Sequence, residues 1–179
     1  MQDDDGIRDM DYLNNSETET CMGDTIPSDN REKLRQRAAK IEELSKNHPE
    51  NIYQRAVFVH LDSRDDETIR IDMYFMHHEK CAKSKQFAQR MRDNIEYQYK
   101  TNRPDRKKYT GEAKPPRGGL FVLNYLYENT TIPALFAELC NIRNVYDQQR
   151  YIPYQNRQVM VDWMTEGFVS DYKKEKQKK

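Results

Sequence analysis

Apolar positions along this chain fall into two rhythms. In "SDNREKLRQRAAKIEELSKN" (28–47), Leu34, Ala38, Ile41 and Leu44 recur every three or four residues, which predicts a helix. Asp29 stands at its start with Glu32 three positions on, the spacing of a capping box. In "KCAKSKQFAQRMRDNIEYQYK" (80–100), Phe87, Met91, Ile95 and Tyr99 fall at i, i+4, a second helix. "NRQVMVDWMTEGFVSDY" (156–172) makes a third, with Val159, Met160, Trp163 and Phe168 on its inner face. The other rhythm is the short apolar run. "AVFVHL" (56–61) and "PALFAEL" (133–139) read as buried strands, and "LFVLNYLY" (120–127) reads as strand-like. "TIRIDMYFM" (68–76) alternates as an extended stretch, with a short helical start the alternative. The prolines and glycines of "TNRPDRKKYTGEAKPPRGG" (101–119) predict a loop.

Helices alternating with short apolar strands predict an α/β domain: a central, mostly parallel or mixed sheet with helices on both faces. Residues 1–28 read as a flexible acidic segment, 29–170 as the domain and 171–179 as a basic tail. The chain is 36% hydrophobic and 34% charged, polar for a globular protein, yet 11% aromatic residues argue for a packed core. Thirty basic residues balance thirty acidic ones, so no net field points to nucleic acid or a membrane. No apolar stretch is long enough to span a bilayer, and the first residues lack the basic-then-apolar order of an export signal. Cys21, Cys81 and Cys140 have no paired spacing, which suggests neither a disulfide framework nor a zinc ribbon.

The candidate chemistry lies at the ends of two strands. His60 closes one apolar run and Glu138 another, and open α/β sheets place ligands beyond the C-terminal ends of their strands. If those strands are neighbours, an imidazole and a carboxylate share one crevice: a metal ligand beside a general base acting on water. The plainer account of His60 is a hydrogen-bonded structural histidine. For Glu138 it is a strand-end salt bridge, to Arg143 for instance, because burying an unpartnered carboxylate is costly. The adjacent His77 and His78 read as surface residues. His48 reads as a contact to the end of the first helix, and Cys140 as a small packed residue. The tyrosines of "YQYK" and "NYLYEN" could line a groove, though packing is their commoner fate.

"AVFVHLDS", "MYFMHHEKCAKSKQFAQRM" and "RGGLFVLNYLYENTTIPALFAELCNIRNVYDQQRYIPYQNRQVMVDWMTEGF", in that order, resemble the later part of the catalytic domain of the zinc-dependent N-acetylmuramoyl-L-alanine amidases. The resemblance runs from about residue 30 to about residue 170, most specifically from Arg117 to Phe168. It implies that His60 is a zinc ligand, Glu138 the catalytic carboxylate and Asn144 a structural turn residue. The implied substrate is peptidoglycan, cut between N-acetylmuramic acid and the first L-alanine of the stem peptide. That puts the protein in the cell envelope, the periplasm or outside the cell. The family's glycine-flanked first zinc histidine and its glutamate ligand have no counterpart here. The resemblance therefore implies an incomplete zinc site, a domain lacking its opening strand and helix, and an unpaired sheet edge with exposed apolar surface. Two expectations compete: a zinc amidase represented by its later part, and an amidase-derived domain that binds cell-wall glycopeptide or an envelope partner without catalysis.

Overall fold

The structure, a computed structural model, describes residues 20–49, 52–102 and 109–177. A short hairpin, β1 (Thr20–Cys21) and β2 (Asp24–Thr25), precedes helix α1 (Asn30–Lys46). Its turn places Met22 and Gly23 at φ +53° and +85°. Two positive φ angles in a two-residue loop match the right-handed twist of the flanking strands. Lys40 of α1 meets Asp24 at 2.7 Å and ties the hairpin to the helix. Asp29 caps α1, its carboxylate accepting from the backbone N–H groups of Arg31 and Glu32, both at 2.9 Å.

The main sheet runs β3–β6–β4–β5, with β3 (Ala56–Asp62), β4 (Tyr74–Met76), β5 (Glu112–Lys114) and β6 (Ala134–Asn141). β3 lies parallel to β6, β6 antiparallel to β4, and β4 parallel to β5, so the sheet is mixed. β6 is central, and Ala134 to Ala137 are all buried, as a strand covered on both faces requires. Helices α2 (Ala82–Asn102) and α5 (Tyr154–Lys176) cover one face, where Phe75, Leu135 and Ala137 meet Phe87, Met91, Ile95, Met160 and Trp163. Helices α1 and α3 (Phe121–Asn129) cover the other, where Phe58 and Phe136 meet Val122, Leu123 and Leu126. A short α4 (Val145–Tyr151) follows β6. No helix of the described residues is long and apolar enough to cross a membrane.

Four expectations need correction. "LFVLNYLY" is helical: its exposed positions Asn124 and Tyr127, with Glu128 just after them, follow the helical period, while Val122, Leu123 and Leu126 are buried. The glycine- and proline-rich stretch holds the edge strand β5, three residues paired to β4. The proposed boundary at residue 171 falls inside α5: Asp171 is fully buried, paired with Arg55 at 2.7 Å and Arg90 at 2.5 Å, and accepts from the Tyr53 hydroxyl at 2.8 Å. Lys173, Lys174 and Lys176 are its last turn, where cations complement the helix dipole. At the other end, the acidic segment contains the β1–β2 hairpin; residues 1–19 and most of "RPDRKKY" lie outside the described residues. Among the described residues β3 lies at the edge of the sheet, with Val59 and Leu61 more than half exposed.

Candidate active site

The parallel register of β3 on β6 sets His60 directly opposite Glu138. The antiparallel register of β4 on β6 sets Tyr74 opposite the same Glu138. Register partners on neighbouring strands, about 4.8 Å apart, project to one face. That face is the one under α1 and α3. Phe58 and Phe136 stack there at 6.3 Å, and the His60 imidazole lies on the Phe136 ring at 4.2 Å and 23°. Both candidate residues sit inside their strands, not past the ends: β3 continues to Asp62 and β6 to Asn141.

Burial, and then the positive charge of Arg37, lowers the pKa of His60 and favours the neutral ring. Glu138 is half-buried, and its Oε2 is fully buried with no hydrogen-bond partner among the described residues. Burial, reinforced by the Asp62 carboxylate and opposed by Arg64, pushes its pKa up to about 7. Arg143 does not reach it; that guanidinium pairs with Asp65 at 3.2 Å on the surface.

The remaining candidates lie elsewhere or serve the fold. His77 is buried, against the surface placement expected of it, with Nδ1 3.1 Å from the His78 carbonyl O. His78 stacks on Tyr127 at 3.9 Å. Because β4 runs against β6, both histidines lie by the start of β6, away from Glu138. His48 lines a cavity of about 640 Å³ with Lys83 and Pro133. The Cys140 thiol is buried and pushed up to about 11, so it is no nucleophile at neutral pH. Asn144 caps α4, accepting from Tyr146 N–H at 3.0 Å and Asp147 N–H at 3.1 Å.

Sequence reasoning missed the residues that frame the pair. Asn141 is fully buried; its amide donates to the carbonyls of Asp66 and Ile69 and accepts from Arg64 N–H and Arg143 N–H. Asp147 Oδ2 accepts from Ile71 N–H and Asn141 N–H, both at 2.7 Å, and Arg150 clamps Asp147 and Asp72. These bonds hold the segment after β3 against the end of β6. The one available signal was an Asn closing a buried strand and an Asp six residues on, in the short helix that follows.

A catalytic zinc site needs three protein ligands and an open position. Among the described residues no three His, Cys, Asp or Glu side chains converge. The described residues therefore do not form such a centre; His60 is one donor beside one carboxylate.

Residues 8–169 match the family model of the N-acetylmuramoyl-L-alanine amidases, and the chain belongs to that family. The match begins well before residue 30, where the resemblance read from the sequence starts. Solved structures share the fold. An N-acetylmuramoyl-L-alanine amidase from Clostridium difficile 630 is 18% identical with a TM-score of 0.58, over 76% of this chain and 63% of that one. The CwlD amidase from Clostridioides difficile, solved in complex with the GerS lipoprotein, is 14% identical with a TM-score of 0.60, over 82% and 66%. The amidase Ami1 from Mycobacterium smegmatis is 22% identical with a TM-score of 0.57, over 77% and 59%. This chain thus spans just under two thirds of those structures. Among curated protein sequences none matches.

Proposed function

We propose that this protein is a peptidoglycan hydrolase of the cell envelope that cuts the amide between N-acetylmuramic acid and L-alanine, with Glu138 as its proton-transfer group. The observation that carries this reading is the Glu138 carboxylate itself. It is half-buried, its Oε2 has no partner among the described residues, it faces His60 across the register, and it holds its proton up to about pH 7. A base poised near the working pH can take a proton from the attacking water and return it to the leaving nitrogen. Phe136 and the surrounding apolar floor keep that proton affinity high by limiting hydration of the carboxylate. His60, held neutral, offers a lone pair. The family's zinc belongs to this reading with His60 as the one donor the described residues would offer it, and the proton transfers assigned to Glu138 stand apart from it.

That no three donors converge among the described residues favours a second reading, an amidase-derived domain that holds cell-wall glycopeptide uncut. One experiment separates them. Purified muropeptides are incubated with the chain and with its Glu138→Gln variant, and freed stem peptide is quantified by mass spectrometry. The hydrolase reading expects release that falls about 10²–10⁴-fold in the variant. Equal release from both would remove Glu138 from the chemistry, and glycopeptide retained without release would establish the binding reading.

A further inference from the structure

The row His60–Glu138 continues across the sheet. Tyr74 is the next register partner, and Glu112 of the edge strand β5 is the one after it. All four positions project to the same face. Two cations flank the Tyr74 ring: the Arg64 guanidinium 5.8 Å from its centroid and the Lys114 ammonium at 4.0 Å. Arg64 and Lys114 are 41% and 40% exposed, and each is held by one carboxylate at 2.7 Å, Asp62 and Glu112 respectively.

Neither cation is saturated by the described residues. Asp62 takes the Nε–H of Arg64, and Arg143 pairs with Asp65. The forked Nη groups of Arg64 suit a second carboxylate. Lys114 has two donors left beyond its bond to Glu112. Exposed pairs of this kind contribute little to stability, so an incoming anion can share or displace the present partners at small cost. An aromatic face, one strand from a proton-transfer group and edged by two cations, suits an acyl peptide whose negative charge lies a residue or two from the reacting amide.

We propose that Tyr74, Arg64 and Lys114 form the peptide-side subsite of this active site, with Tyr74 as platform and the two cations as anchors for the glutamyl carboxylate of the stem peptide. This rests on the amidase reading for the identity of the substrate, but not for the charge preference itself.

The test measures binding to the Glu138→Gln chain by calorimetry. The two probes are N-acetylmuramoyl-L-alanyl-D-glutamate and the same glycopeptide with its glutamyl carboxylates amidated. The acidic probe is expected to bind roughly tenfold more tightly, the scale of one charge-assisted contact. That preference should vanish in Arg64→Ala/Lys114→Ala, persist in large part in Arg64→Lys, and both probes should weaken in Tyr74→Ala. Equal affinities for the two probes, no binding of either, or a preference that survives loss of both cations would overturn the proposal. Release of stem peptide by the unsubstituted chain is scored separately. Charge-selective binding without release sinks the hydrolase reading and leaves the subsite; release with equal affinities does the reverse.

Discussion

The two faces of the sheet use the same strands to opposite ends. Under α2 and α5 the face is closed: Phe75, Leu135 and Ala137 meet Phe87, Met91 and Trp163, and the buried charge at its margin is fully met, Asp171 by Arg55, Arg90 and Tyr53. Under α1 and α3 the face begins alike, with Ala56, Phe58, Ala134 and Phe136, and then changes at one row. There stand His60, Glu138 and Tyr74, and Glu138 keeps a buried oxygen without a partner among the described residues. A carboxylate whose bonds are satisfied serves the fold. One left unsatisfied costs stability, and that cost fits a group reserved for a ligand or a water.

The sharpest way to break the comparison is to injure the closed face. Phe75→Ala should destabilise the protein by about 3–5 kcal/mol in urea unfolding; a loss below 1 kcal/mol would show that this face is not the main core. Asp147→Ala leaves Arg150 and two buried N–H groups short of an acceptor. It should cost about 3 kcal/mol and loosen the segment after β3, read as faster amide exchange at Ile71 and Asn141. Exchange unchanged at both would show that the clamp is not what holds the segment.

On the open face the sign reverses. Glu138 has its folded pKa raised from 4.5 to about 7. Its contribution is therefore lost as pH rises from about 4.5 to 7, because the unfolded chain ionises first. Glu138→Gln should stabilise the protein at pH 7.5 by about 1–2 kcal/mol after allowing for solvent screening of this half-exposed group, and the gain should disappear near pH 4. A variant that is less stable at pH 7.5 would mean the carboxylate is satisfied after all. The smallest effect tests how tightly the closed face is packed. An added methyl at Gly167 would meet Met91 Sδ at 2.6 Å, where α5 crosses α2. Gly167→Ala should lose about 1 kcal/mol, the overpacking outweighing the better helix propensity; a net gain would show slack between the helices.

Much of this was readable along the chain. α1, α2 and α5 carry long apolar stripes, and β3 and β6 are short β-rich runs bounded by polar residues, so their types follow from local spacing. "LFVLNYLY" misled because a mostly apolar run of eight suits either a buried strand or a buried helix; only Asn124 within it and Glu128 just after it, four apart, hinted at the helix. β5 has no signal of its own, since three residues become a strand only by pairing with β4.

Of the candidate site, the sequence alone determined the two chemical endings, because an imidazole and a carboxylate closing apolar runs are local facts. The resemblance also suggested which family they serve. Tertiary structure alone decided that β3 lies beside β6 in the register that sets His60 against Glu138, that Tyr74 completes the row, and that Arg143 turns away to Asp65. Those are contacts between residues many positions apart. The summed packing of both faces selects them, since a slip of one residue would turn every side chain of a strand to the wrong side.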